Sequence, residues 1–169
     1  MVKTTVTHTV TYFVVGLLAS SILDYARFFA ESSLNLMMRQ TSDPWVMAGP
    51  LFQPIRGILF GIVFYLLREP LFGKKNGWLV MWGVLAVVGI LGTFGPAPGS
   101  LEGFLYTVFP LSVHLKSLPE VLLQSLFLSL LLFYWVHPPQ KKWLNWVMGI
   151  AFFLVMAFPA IGLLAGQPK

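Results

Sequence analysis

Trp143 to Pro168 reads WLNWVMGIAFFLVMAFPAIGLLAGQP, without one charged side chain. A helix needs about 20 mostly apolar residues to cross the hydrocarbon core of a bilayer, and this stretch is long enough. Working outward, Val121 to Gln140 and Asn76 to Leu101 also lack Asp, Glu, Lys and Arg. These three stretches predict spans near 143–164, 118–136 and 78–94. Two more apolar segments carry charges, about 8–39 and about 44–69. The expected fold is all-α: a polytopic bundle of five transmembrane helices in one integral membrane domain covering 1–169. A short interfacial or re-entrant helix is expected near 101–115, where Phe104 to Leu115 is apolar but interrupted by Pro110.

Composition agrees. Hydrophobic residues make up 57% and charged residues 10%, whereas soluble domains average about 45–50% and about 25%. That excludes an ordinary soluble domain and a disordered chain. There is no cysteine, which removes disulfides, thiolate zinc sites, Fe–S ligation and a Cys nucleophile. The net charge of +5 reads as a topological signal rather than a nucleic-acid surface.

Local signals set the expected boundaries. Asp43-Pro44 pairs an N-cap residue with proline at the first helical position. Pro70 is expected to end the second span. Ser117-Leu118-Pro119-Glu120 has the spacing of a capping box before Val121. Ala19-Ser20-Ser21 resembles a signal-peptide cleavage site, but apolar helical sequence continues to Met38, which favours an uncleaved span.

Numbering the spans one to five puts Lys3, Arg68, Lys74, Lys75, Lys141 and Lys142 on one side. Only Arg39, Lys116 and Lys169 clearly fall on the other. Basic residues in short loops stay cytoplasmic, so a cytoplasmic N-terminus, an external C-terminus and a plasma (inner) membrane are expected. Trp78, Trp82, Trp135, Trp143 and Trp146 fall near the same basic ends, where tryptophan favours the interface.

The first hairpin carries the least ordinary residues. Gly16, Ser20, Asp24, Arg27, Glu31, Asn35 and Arg39 recur at steps of three and four, which places them on one face of a continuous helix. An antiparallel partner turning at Thr41-Ser42 would bring Gln53 and Arg56 level with them. Asp24, Arg27, Glu31 and Arg56 sum to zero formal charge, and pairing is the normal remedy for charge inside a membrane. Such a cluster is either an ion-pair clamp or a site for an anionic headgroup, a substrate or a proton.

The second candidate region is the loop Gly92–Gly103 together with the apolar segment C-terminal to it. Gly95 and Gly99 permit backbone shapes closed to other residues, while Pro96 and Pro98 stiffen the path. No Lys-Ser/Thr comes after the glycines, so it is not a Walker loop. Glu102, Tyr106, His114, Lys116 and Glu120 are expected on the same outer side. No nucleophile–base spacing appears among them. His8, His114 and His137 do not form a metal set, His8 being expected at the cytoplasmic side. No cofactor is implied. Gly57-xxx-Gly61 and Gly162-xxx-Gly166 permit close helix approach, within the chain or between copies.

The leading functional expectation is a non-enzymatic scaffold or accessory subunit of a membrane complex, on the small size and the lack of a reaction motif. Its partners would be the lipid bilayer and a membrane protein or a second copy, with no nucleic acid. One alternative is a transporter or ligand-binding protein with an outward-open polar site between helices one and two. A further alternative is a lipid- or prenyl-processing enzyme, with Arg27, Arg56 or Lys116 holding a phosphate and Glu102, Glu120 or His114 moving protons.

Overall fold

The computed structural model describes all residues except Glu31, Leu36, 138–140 and 166–169, and the backbone alone of Ser32, Ser33 and Ala165. Among the described residues it is helical, without strands. In chain order the helices are α1 Val2–Ile22, α2 Tyr25–Ala30, α3 Ser32–Asn35, α4 Pro44–Met47, α5 Gly49–Leu66, α6 Arg68–Phe72 and α7 Gly77–Gly83. A π-helical segment, Val84–Leu91, continues α7, and then come α8 Leu101–Tyr106, α9 Leu111–Val136 and α10 Lys142–Ala165.

Helix α1 is the hub, packed on α5, α9 and α10. Its first half is rich in threonine, a β-branched residue that helices disfavour. Here the hydroxyls bond back to the preceding turn: Thr7 Oγ1 donates to Lys3 O at 2.7 Å, Thr9 Oγ1 to Thr5 O at 2.9 Å and Thr11 Oγ1 to Thr7 O at 2.8 Å. Buried hydroxyls are thus satisfied within the helix, as an apolar surrounding demands. The helix accordingly begins earlier than residue 8, the start expected from the sequence.

It also ends far earlier than residue 39. Asp24 has φ of +46°, the left-handed region that an aspartate tolerates better than most side chains. Asp24 Oδ1 then accepts the Arg27 backbone N–H at 3.4 Å, opening α2 in the manner of an N-cap. The seven-residue polar stripe is therefore not one helix face. A spacing of three and four residues is meaningful only while the backbone stays right-handed, and here it does not.

Helix α5 runs antiparallel to α1 at close range. A Cβ at Gly57 would lie 2.7 Å from Thr5 Cα, and one at Gly61 would lie 3.2 Å from Met1 Cα. The Gly57-xxx-Gly61 pair is thus spent on packing inside the chain. A Cβ at Gly162 would meet nothing within 4 Å, and Gly166 lies outside the described residues. The Asp43-Pro44 start is as expected: Asp43 Oδ1 accepts the Trp45 N–H at 2.8 Å. That bond first, and the neighbouring Arg39 guanidinium after it, hold the Asp43 carboxyl below its usual range. The second span breaks at Leu67, before Pro70, and Pro70 sits inside α6.

Helix α9 starts at Leu111, not near 118, and passes through Pro119. Ser117 is not a cap there, because its hydroxyl donates back to Val113 O at 2.8 Å. The expected helix near 101–115 is divided: Leu101–Tyr106 forms α8, 107–110 is extended, and the rest belongs to α9.

Among the described residues, four helices are long and apolar enough to cross a membrane: α1, α5, α9 and Lys142–Leu164 of α10. The third expected span is shorter. Its α-helical and π-helical parts hold 7 and 8 residues, short of the about 20 that a span needs. The Gly92 N–H closes it by bonding Val87 O at 2.7 Å, an i→i+5 bond.

Six of the eleven basic residues collect at one end of this bundle. Lys3 Nζ donates to Trp135 O at 3.2 Å, so α1 begins where α9 ends. Arg68 shares a groove with Lys3 and Val136. Lys74 and Lys75 lie in the turn after α6, and Lys141 and Lys142 lie near the start of α10. Two apolar clusters hold this half together. Phe64, Leu71, Met81, Leu128 and Leu132 form one, and Val10, Trp135, Leu144 and Met148 the other. At the opposite end Phe28, Leu34 and Val113 form a third.

Candidate functional site

Among its described members, Asp24, Arg27 and Arg56, the predicted charge cluster is not assembled. Among the described residues the one salt bridge is Arg39–Asp43, at 3.0 Å. Asp24 and Arg27, both exposed, sit at the break after α1, while Arg56, also exposed, is in α5 beside Gly57, which faces Thr5. Glu31 lies outside the described residues. The antiparallel register explains the difference. Gly57 meets Thr5, near the beginning of α1, whereas Arg27 comes after the end of α1, so the two arginines belong to different levels.

Two members of the predicted set, Gln53 and Arg56, do reach a polar centre, joined there by His8, expected at the cytoplasmic side, and by Gln124, which the sequence reading does not single out. His8 is fully buried. Its Nε2 lies 3.1 Å from Gln53 Oε1, and its Nδ1 lies 3.2 Å from Gln124 Nε2. With both amides so oriented, the imidazole donates through Nε2 and accepts at Nδ1. Gln53 Nε2 also donates to Gly49 O at 3.3 Å. The ring of Phe60 packs edge-on against His8, with centroids 4.9 Å apart. One helix each from the first, second and fourth expected spans contributes to this bridge.

Beside it lies a cavity of about 150 Å³, walled by α1, α5, the π segment and α9. Tyr12, Arg56, Glu120, Gln124 and Ser125 supply its polar lining; Phe60, Leu85, Ile90 and Leu128 supply much of the apolar part. The volume suits several waters or a small organic ion. The Arg56 guanidinium lies 5.4 Å from the Phe60 ring centroid, a cation–π distance. Glu120 is not the cap expected from the sequence: it accepts a hydrogen bond from the Tyr25 hydroxyl. A Cβ at Gly16 would lie 3.5 Å from Glu120 Oε1, so this small residue leaves space for the carboxylate. Pro119, inside α9, cannot donate to the carbonyl one turn back, and such interruptions mark places where a helix bends. The π segment is a second irregularity on the cavity wall, and π geometry recurs at functional sites.

The outer-loop candidates divide. Gly99 and His114 do meet: the Gly99 N–H donates to His114 Nδ1 at 3.0 Å. Gly99 has φ of +86°, and a Cβ there would strike the Leu118 side chain at 2.8 Å. His114 is buried, with the rings of Phe104 and Phe109 edge-on to it. This pair ties the loop to α9. Ser100, buried as well, caps α8 by accepting the Gly103 N–H at 2.9 Å and donates to Ala97 O at 2.8 Å. Ser100→Ala is expected to cost about 1 kcal/mol, read as a lower thermal midpoint. Lys116 lies 5.1 Å over the Phe28 ring. Gly95 and Tyr106 are exposed and Glu102 is half-buried. These positions do not surround a common point in the way Arg56 and Glu120 do. Among the described residues no group of three His, Cys, Asp or Glu side chains is placed to hold a metal ion.

In comparisons with protein families, curated proteins and solved structures, the chain has no match.

Proposed function

We propose that the chain is a multi-pass integral membrane protein that binds a small anion-bearing ligand in the cavity between α1, α5, the π segment and α9. Arg56 receives the anionic group. Glu120, Tyr12 and Gln124 orient the remainder. The Gly77–Leu91 helix is the short third pass of five, and the lysine-rich end is cytoplasmic, as basic loops favour. In this arrangement the C-terminus is external.

The observation that supports this reading is that Arg56 and Glu120 line one cavity near the middle of the bundle without forming a salt bridge. Arg56 is about 15 Å along α5 from Leu66, given ten intervening steps of about 1.5 Å. A guanidinium at that depth costs about 2.5–3.5 kcal/mol on insertion scales, more by simulation, and an ionisable residue kept there is a functional candidate. A bound anion offsets that cost and leaves Glu120 to meet a donor on the ligand. On this reading the polar site lies among three helices and the π segment, rather than between helices one and two alone.

The test is thermal unfolding of the purified protein with millimolar acetate, glycine or inorganic phosphate. The unchanged chain is expected to gain several degrees with at least one of them. A ligand at a hundred times its Kd adds about 2.7 kcal/mol. Arg56→Gln is expected to lose that gain while still folding. Equal gains in both chains would remove Arg56 from the site. A protein partner purifying in fixed ratio, with no ligand gain, would return the function to an accessory subunit.

A further inference from the structure

We infer that the groove at the basic end of the bundle is a binding site for one anionic phospholipid. It holds the phosphodiester between Lys3 and Arg68 and an acyl chain against the apolar wall. The inference rests on the membrane reading but not on the Arg56 cavity. The groove has a volume of about 510 Å³ and is walled by the start of α1, the end of α5, α6 and the end of α9. Two side-chain cations in its lining stand on separate helices, Lys3 on α1 and Arg68 on α6.

Both are held in place by groups that leave donors to spare. Lys3 Nζ donates to Trp135 O at 3.2 Å and lies 5.2 Å from the Trp135 ring centroid. Arg68 Nη1 donates to Tyr65 O at 3.4 Å, with the guanidinium 5.1 Å from the Tyr65 ring. An ammonium has three donors and a guanidinium five, so each keeps N–H groups for phosphate oxygens. The rest of the lining includes Phe64, Phe72 and Val136, surface suited to hydrocarbon and not to a free inorganic ion. Lys74, Lys75, Lys141 and Lys142 at the same end raise the local concentration of anionic lipid. Basic pockets between helices at the cytoplasmic side take phosphate headgroups for these reasons.

The probe is phosphatidylglycerol in phosphatidylcholine nanodiscs, with lipid retained on the protein counted by native mass spectrometry. Flotation with vesicles checks insertion separately, so a failed membrane reading is distinguished from a failed site. The unchanged chain is expected to keep one phosphatidylglycerol. Arg68→Gln is expected to weaken retention about fivefold, as for loss of one basic contact near a membrane surface, and Arg68→Lys to restore most of it. Lys74→Gln with Lys75→Gln removes charge from the same end but not from the groove, and is expected to change retention less than Arg68→Gln does. Equal losses in the two cases would reduce the effect to general surface charge and overturn the site. So would full competition by inorganic phosphate, which would make the ligand a free ion, or an unchanged chain that keeps no phosphatidylglycerol.

Discussion

Gly57→Ala is expected to destabilise the fold by about 3 kcal/mol or more, the upper part of the overpacking range. The new methyl carbon would sit 2.7 Å from Thr5 Cα. That neighbour is backbone, so no rotamer change can relieve the clash and α1 must move away from α5. The hub helix carries the His8 bridge with it, so the cavity should distort as well. Two related substitutions calibrate the effect. Gly61→Ala approaches Met1 Cα at 3.2 Å, where a few tenths of an ångström of adjustment suffices. Gly149→Ala meets nothing within 4 Å and should be neutral or gain up to about 1 kcal/mol of helix propensity. Unfolding in mixed micelles gives the order directly. Equal midpoints for Gly57→Ala and Gly149→Ala would show that α1 and α5 do not meet at this distance.

His8→Leu is the second large effect, about 2–4 kcal/mol of destabilisation. The substitution leaves the Gln53 carbonyl without its donor and the Gln124 amide without its acceptor, and each abandoned buried group costs about 1–3 kcal/mol. A leucine of similar bulk opens little empty space, so the loss measures the orphaned amides rather than a void. The triple substitution His8→Leu, Gln53→Leu, Gln124→Leu should recover most of the loss, because removing every partner of a buried network can be nearly neutral. If the triple variant is weaker still, the three residues do not act as one network.

Elements are legible in the sequence where a single physical quantity decides the outcome. Helix α10, Lys142–Ala165, matches the expected 143–164 because its apolar run is unbroken. Asp43 and Pro44 announce a helix start because both act through bonds within four residues. Legibility ends where the deciding fact is a dihedral angle or a distant partner. Asp24 has the right spacing for a helical stripe, and its left-handed φ cannot be read from spacing. Pro119 looks like a first-turn proline, yet it lies inside α9, where neighbouring groups can satisfy the freed carbonyl. Thr4 to Thr11 is dominated by threonine and does not look like part of a span until the hydroxyls are seen bonding backward.

For the candidate site, Gln53, Arg56 and Glu120 stand out by their polarity within or beside apolar sequence. Their true neighbours are not legible. Tyr25 and Glu120 are 95 positions apart, and Gln124 and His8 are 116 apart. An isolated glutamine in a run such as Val121 to Gln140 signals that some polar partner exists. It does not say which helix supplies it.

The short third helix has one further consequence. Helix α9, with 26 residues, is about 39 Å long at about 1.5 Å per residue, well beyond the reach of the fifteen-residue Gly77–Leu91 segment. No bilayer of uniform thickness matches both. Hydrophobic mismatch of this kind is relieved by tilting the long helix or by thinning the lipid beside the short one. On the five-pass reading, the external leaflet dips where Leu91 gives way to the glycine-proline loop. With the proposed ligand site, phospholipid headgroups would then be drawn down toward the Gly89 and Ile90 wall of the cavity, and membrane thickness would become a control on how easily a solute reaches Arg56.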